Sequence, residues 1–423
     1  MKFTRVFAFM ALAGLATSAY ATNGYFSHGY GMKAKGMGGA ATATHDDAFF
    51  GANNPAAAAF AGNRMELGVD LFSPRREMSR TGATAVAGSV DSDSNYFLVP
   101  EFGYNRMVNN NLALGVTVYG NGGMNTDYAG GQFDCSALPG GGPGSNALCG
   151  AGSLGVDLMQ LVIAPTAAYK VNANHSIGIS PLLGYQRFKA EGLQAFGLIS
   201  ADSNNLTNQG YDDSFGYGVR VGYMGKITPT VTIGAAYASK MRFEEFDKYK
   251  GLFAEQGDFD IPENYNIGLA WQATPAVKLA LDYQRINYSD VKSIANSSLS
   301  TAGLMGDDGG PGFGWQDIDV WKLGVEYKHS KALTLRAGYN HGDNPIMARD
   351  VTFNILAPGV VKDHVTLGFT YTLASGNELS MSYMHAFKND VTGTPNTQYF
   401  PVGGTEKIEM YQNALGIQYS WKM

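Results

Sequence analysis

Trp321-Lys322-Leu323-Gly324-Val325-Glu326-Tyr327-Lys328 is followed, after four residues, by Leu333-Thr334-Leu335-Arg336-Ala337-Gly338-Tyr339-Asn340. In each stretch apolar residues take every second position, and charged, polar or glycine residues take the positions between. Successive side chains of an extended chain point to opposite faces, so each stretch would turn one face to an apolar medium and the other to a polar one. The period recurs at Val277, Leu279, Leu281 and Tyr283 against Lys278, Ala280, Asp282 and Gln284. It recurs again at Val365, Leu367, Phe369 and Tyr371 against His364, Thr366, Gly368 and Thr370.

Outward from these stretches, the alternation predicts fourteen strands. They fall near 64–75, 94–105, 111–122, 156–171, 174–187, 212–226, 230–242, 258–272, 276–289, 316–329, 333–342, 362–373, 377–388 and 408–421. The joins between them fall into two classes. Short ones carry turn residues, as at Val108-Asn109-Asn110, Val171-Asn172-Ala173-Asn174, Thr228-Pro229, Thr274-Pro275 and Ala374-Ser375-Gly376-Asn377. Long ones, such as 76–93, 123–155, 188–211, 290–315 and 389–407, come between them. Strict alternation of short and long joins, with an even strand count, predicts an all-β closed antiparallel barrel in a bacterial outer membrane, over residues 64–423. Tyr104, Tyr119, Tyr169, Trp271, Tyr288, Trp321, Tyr419 and Trp421 lie near strand ends, where aromatic girdles belong.

The beginning of the chain agrees with export. Lys2 and Arg5, the apolar run Val6–Leu15 and the small-residue stretch Ala19-Tyr20-Ala21 predict a signal peptide over 1–21. Its apolar run is too short to cross ~30 Å of hydrocarbon as a helix. Past it no 18-residue apolar run occurs. Charged residues are only 16%, beside 55 glycines, 24 tyrosines and 23 phenylalanines, a balance that favours a β-rich envelope protein. A formal net charge of −6 argues against nucleic acid as a partner. The two cysteines, Cys135 and Cys149, share one Gly/Pro/Ser-rich segment and are expected to pair in an oxidising compartment. No His or second Cys pair stands at ligand spacing, so no metal is expected, and no cofactor.

Fourteen strands enclose a lumen wider than their own side chains fill. The stretch 22–63 is Gly/Ala-rich, lacks alternation and carries Met37, Phe49, Phe50 and Phe60. Disordered tails are poor in such residues, so this stretch is the candidate plug.

Several segments resemble, in matching order, the FadL-type transporters. They are Asn23-Gly24-Tyr25-Phe26, Gly36-Met37-Gly38-Gly39-Ala40, His45-Asp46-Asp47-Ala48 and Asn54-Pro55-Ala56, and later Ile261-Pro262-Glu263, the run from Leu333 to Ile346 and Ser382-Tyr383-Met384-His385. The resemblance covers nearly all of the mature chain. It implies a fourteen-stranded barrel closed by an N-terminal hatch, here 22–63 with Asn54, Pro55 and Ala56 as its motif. It also implies uptake of long-chain fatty acids or, in the TodX-like branch, aromatic hydrocarbons. The implied route runs from an outer groove to a lumenal pocket, then sideways through a gap made by a kink in the third strand.

On that reading Gly120, Asn121, Gly122 and Gly123 are the candidate gate, because glycine weakens strand pairing. They equally suit an ordinary strand end. Leu193, Phe196 and Ile199, with Phe246, Tyr249, Leu252 and Phe253, recur at helical spacing in two long loops. They are expected to form an exposed apolar collecting groove, or else small cores that fold the loops. Arg220, Lys240, Lys278, Lys322 and Arg336 face inward by parity and could meet a carboxylate, or could simply be the charged ladder of a barrel interior. The chain ends Tyr419-Ser420-Trp421-Lys422-Met423 rather than on an aromatic, although the alternation survives.

The expected partners are hydrophobic small molecules and outer-membrane lipids, with the protein a monomer. An enzyme is not expected, since none of the seven histidines joins a nucleophile motif. A general diffusion porin would want no plug, and an adhesin or receptor built on the long loops stays open.

Overall fold

The computed structural model describes residues 22–82, 86–138, 141–396 and 403–423. The expected signal peptide, 1–21, lies outside them. Fourteen long strands form the wall. In chain order they are β1 (Arg64–Thr81), β2 (Phe97–Met107), β3 (Leu112–Tyr128), β4 (Leu154–Lys170), β5 (His175–Glu191), β6 (Asp212–Lys226) and β7 (Val231–Ala238). There follow β8 (Asn264–Gln272), β9 (Val277–Ile286), β10 (Ile318–Lys328), β11 (Leu333–Gly342), β12 (Asp363–Thr372), β13 (Glu378–Gly393) and β14 (Thr405–Lys422). Each pairs antiparallel with its neighbours in sequence. β14 closes the ring on β1 over the full run from Arg64↔Lys422 to Thr81↔Thr405.

The wall is inside out relative to a soluble protein. On β10, Trp321, Leu323 and Tyr327 are 52, 48 and 43% exposed, whereas Lys322 and Glu326 are 7 and 4% exposed. A ring of apolar side chains turned outward is stable only where lipid covers it, and strands cross lipid only when closure leaves no unpaired edge. Among the described residues no helix is long and apolar enough to cross a membrane. Crossing is therefore by strands.

Short joins (108–111, 171–174, 227–230, 273–276, 329–332 and 373–377) occupy one rim and long loops the other. Several strands run beyond their expected ends: β1 to Thr81, β3 to Tyr128 and β13 to Gly393. These extensions stand above the apolar belt. There the outward positions are polar, as in the cross-strand pairs Glu77↔Glu409 and Asp390↔Glu409, so the ladder continues without its hydrophobic signature. The opposite error occurs at β7, which ends at Ala238 and leaves Lys240 in a loop instead of on the wall.

Residues 22–60 lie within the barrel, and all of 22–43 are buried. Their regular structure is one short helix, Met32–Lys35, and one 3-10 helix, Pro55–Ala59. In the loop between β3 and β4 a disulfide joins Cys135 and Cys149, with Cα atoms 5.7 Å apart.

Candidate functional site: two cavities and a break in the wall

The wall parts between β2 and β3. β2 pairs with β3 only from Met107↔Ala113 to Phe102↔Val118. β2 continues against β1 to Phe97, and β3 continues against β4 to Tyr128↔Leu154. Above Phe102 and Val118 the two strands have therefore parted. The ladder between β3 and β4 shifts between Gly120 and Gly122, so Asn121 is an extra residue, a β-bulge that bends the strand. From Tyr119 to Thr126 every residue is buried and the inward–outward alternation is lost. Gly120, Asn121, Gly122 and Gly123 thus lie inside a strand, not at its end.

Unpaired backbone groups at membrane depth cost several kcal/mol each, and the N-terminal segment supplies partners for some of them. Phe26 makes a β-bridge to Gly122, Ser27 donates its N–H to the Asn121 carbonyl at 3.3 Å, and the Tyr30 hydroxyl donates to the same carbonyl at 3.2 Å. The approach is so close that a Cβ on Gly122 would stand 1.7 Å from the Tyr25 carbonyl oxygen. Only glycine fits beneath it.

The rest of the segment is fastened elsewhere by charge. Lys33 pairs with Glu378 of β13 at 2.6 Å, and Lys35 pairs with both Asp70 of β1 and Glu101 of β2. Glu101 also accepts the Gly31 N–H at 3.0 Å. Asp46 pairs with Lys278 of β9. Asn54 caps the 3-10 helix, its Oδ1 accepting the Ala56 N–H at 3.1 Å, as a side-chain oxygen does for orphan donors at a helix start. Its amide donates to Thr42 O at 2.7 Å and to Tyr223 O of β6 at 2.9 Å. Pro55 sits where Gly178 of β5 leaves room for it. Asn54, Pro55 and Ala56 therefore staple the segment to β5 and β6, away from the parted strands.

Two cavities stand between the loops and that break. Leu193, Phe196, Leu252 and Phe253 line the outer one, together with Met305, Phe313, Phe353 and Leu356 from other loops, around about 350 Å³ including its open mouth. These residues are not an exposed groove. Leu193, Phe196, Phe246, Leu252 and Phe253 are all buried, because loops far apart in sequence close over them, as where Phe196 meets Phe353 at 5.3 Å. Ile199 packs against the cluster from a partly buried position. Phe246 supports the cleft from behind, its ring tilted 38° against that of Phe188 with centroids 5.6 Å apart. The hydrophobic side chain left in water here is Leu198, 88% exposed.

The inner cavity, about 240 Å³ including its open mouth, is lined by Tyr25, Arg76, Met124, Asn125, Trp315, Met410 and the turn Ala357-Pro358-Gly359. It adjoins the outer one. Phe313 and Leu356 line the first, and Trp315 and Ala357, one or two residues on, line the second. On its other side, Met124 and Asn125 follow directly on the bulge. Sequence reasoning missed every residue of this cavity. Arg76 and Trp315 fell in the long joins 76–93 and 290–315, and Tyr25 only in the expected plug.

Of the inward cations proposed to meet a carboxylate, most are already satisfied. Lys278 pairs with Asp46 and with Glu326 at 3.2 Å, Arg336 pairs with Glu326 at 2.7 Å, and Lys240 pairs with Asp260 at 3.1 Å in its loop. Lys322 stands across from Asp282 in the β9–β10 register, and Arg220 reaches the Gly51 carbonyl at 3.4 Å. None of the five lines either cavity.

In the loop between β7 and β8, burial and the neighbouring Asp260 push the Asp258 carboxyl up to about 7. A carboxyl whose folded value lies above its unfolded value stabilises the fold while protonated. That contribution is complete below the ordinary carboxylate range and is lost as pH rises through the folded value. The amides of residues 239–263 are therefore expected to lose exchange protection between about pH 4 and about pH 7, once intrinsic rates are removed. Asp258→Asn should flatten the difference, and an unchanged pH dependence in that variant would show that another group controls the loop.

A closed, inside-out β-barrel with a buried N-terminal segment and long loops on one rim is the build of an outer-membrane transport protein. The chain belongs to the family described as outer membrane protein transport protein (OMPP1/FadL/TodX), whose model matches residues 10–421. Its fold is similar to that of the Pseudomonas putida toluene transporter TodX, with TM-score 0.68 and 19% identity over 95% of this chain and 100% of that one. It is also similar to a Pseudomonas aeruginosa FadL homologue, with TM-score 0.72 and 15% identity over 94% and 99%. A third likeness is to the Ralstonia pickettii toluene transporter TbuX, with TM-score 0.64 and 18% identity over 94% and 99%. Among curated proteins no sequence match was found.

Proposed function

We propose that this protein carries hydrophobic small molecules passively across the outer membrane, with no chemical step and no cofactor. The observation that carries the reading is the order of the parts. An apolar cleft among the loops adjoins an inner cavity, and that cavity adjoins a parting of the wall between β2 and β3. The cleft formed by Leu193, Phe196, Leu252 and Phe253 collects the molecule, whose affinity comes from burial at about 25 cal/mol per Å² before ordering costs. The inner cavity receives it. Residues 22–30 act as the gate and 31–63 as the fixed part of a hatch, since the ion pairs and the Asn54 staple hold the latter while the former covers the bulge. Release is lateral, into the bilayer, which spares an apolar molecule a passage through water. The two toluene transporters that share the fold are in keeping with an apolar cargo.

The test is uptake of labelled long-chain fatty acid and of toluene by cells in which this chain is the only such transporter, set beside ion conductance of the purified protein in planar bilayers. The expected result is saturable hydrophobic uptake with little steady conductance. Large, steady conductance without hydrophobic uptake would overturn the reading in favour of a diffusion pore.

A further inference from the structure

His28 and His364 meet where the N-terminal segment lies against the wall. Both are buried, 1 and 0% exposed, and their rings lie nearly parallel, with planes 13° apart and centroids 6.2 Å apart. All four ring nitrogens lack a hydrogen-bond partner. The rest of the segment is fastened: among the buried side chains of 22–63, unpartnered polar atoms occur only on Asn23 and His28, both within residues 22–30. Charged groups face the pair from several elements. Lys35 faces His28 from the short helix, and Lys322 of β10 faces both rings. Asp282, Lys322, Asn340 and His364 are successive cross-strand neighbours on β9, β10, β11 and β12, so Lys322 stands between His364 and the carboxylate of that row. Asp282 also accepts the N–H groups of Ala41 and Thr42, each at 2.8 Å, and Lys35 is taken by Asp70 and Glu101. Asp363 and His341, paired with each other at 2.7 Å, stand near His364 as well. The backbone carbonyls of Lys35 and Asn340 approach the two rings without accepting a hydrogen bond from them.

We propose that His28 and His364 form a proton-operated latch, which seats residues 22–30 while both rings are neutral and releases them when the rings take up protons. An imidazolium removed from water without a counter-ion is costly. Here it would also face a second ring and the Lys322 ammonium, and like charges in a dry contact repel strongly. After release the rings meet water and charge freely, near the ordinary histidine value of about 6.5. Seating is therefore complete above about pH 6.5, where the rings are neutral in either position. It is lost progressively as pH falls below that value, because the released position binds the additional protons. This inference rests on the reading of 22–30 as the gate and adds what operates it.

The test is amide exchange of the full-length protein in nanodiscs at about pH 8 and about pH 5, with intrinsic rates removed. It compares the wild type with two double variants, His28→Phe with His364→Phe and His28→Gln with His364→Gln. In the wild type the exchange of residues 22–30 should rise about tenfold or more on acidification, while 31–43 stay protected. The Phe pair keeps two rings that cannot titrate and should hold the segment equally at both pH values. The Gln pair, smaller and equally unable to titrate, gives the same comparison without the bulk of two larger rings. A wild-type segment indifferent to pH would overturn the proposal, and so would a rise that persists in either pair. Fast exchange of 22–30 at about pH 8 in both pairs would overturn it too, since the histidines would then serve as packing alone. None of these results needs a cargo. If exchange follows the latch but cells carrying the chain take up neither toluene nor cetyl alcohol, both neutral throughout, the latch stands and the transport reading falls.

Discussion

Replacing Lys35 by methionine is expected to loosen the seating of the N-terminal segment by about 3–5 kcal/mol, the usual cost of removing one partner from a buried ion pair. Lys35 is 1% exposed and sits between Asp70 on β1 and Glu101 on β2. Without the ammonium, two carboxylates face each other in a dry site, and Glu101 still holds the Gly31 N–H. The segment is the only one of the three parties that can move. Asp70 and Glu101 are locked into the β1–β2 ladder, opposite Val99 and Gly68. The expected signature is therefore local: faster amide exchange and protease cutting within residues 22–60, with barrel folding unchanged. A companion variant separates charge from packing. Adding Asp70→Asn and Glu101→Gln to the Lys35→Met protein should restore much of the protection, since a neutral trio carries no uncompensated charge. No recovery in that triple variant would mean that the lysine stem, not its charge, seats the segment.

The position of this triad matters for the route. Glu101 belongs to Phe97–Glu101, the part of β2 that has β1 on one side and no β3 partner on the other. The ion pair thus fixes the segment beside the parted strands, four strands round the wall from the Asn54 staple. Pro100, which has no N–H to give a ladder, lies in the same unpaired stretch. Sequence at both edges of the break disfavours pairing: proline on β2, a bulge flanked by glycines on β3.

How much of this could be read from the residues differs by element, and the reason is the range of the forces involved. Strands such as Trp321–Tyr327 announce themselves because lipid on one face and lumen on the other impose a local period of two, and fourteen such periods with alternating joins suffice for the barrel. The glycines at 120–123 were visible as a weakness, but their depth was not, because pairing resumes through Met124–Tyr128 against β4 without an apolar period to mark it. Leu193, Phe196, Leu252 and Phe253 were identifiable by spacing. Their burial was not, since it depends on Met305, Phe313 and Phe353 arriving from other loops. Arg76 left no local trace at all. The inner cavity it lines is assembled by Tyr25, Trp315 and Met410 from far apart in sequence.

Deleting Asn121 is expected to reduce hydrophobic uptake to the background of cells lacking the protein, the largest functional effect foreseen. Gly120 pairs with Leu161 and Gly122 with Gln160, so Asn121 is the one residue of β3 without a counterpart on β4. Its removal leaves every other β3–β4 partner in register and takes away the cause of the bend. A straightened β3 would bring Tyr119 and the residues after it alongside Phe97–Glu101, where β2 now has a free edge. Pairing there would satisfy backbone groups that lipid cannot, which favours closure. The carbonyl that accepts from Ser27 and Tyr30 would disappear with Asn121. The variant should still insert, because the other strand pairs are untouched, and it should still bind ligand in the inner cavity, whose nearest lining residue is Met124. Binding retained while uptake is lost would place the defect at exit. Uptake that persists in a correctly inserted variant would mean that molecules leave by another path, along the barrel axis past residues 22–30, and would remove the wall opening from the mechanism.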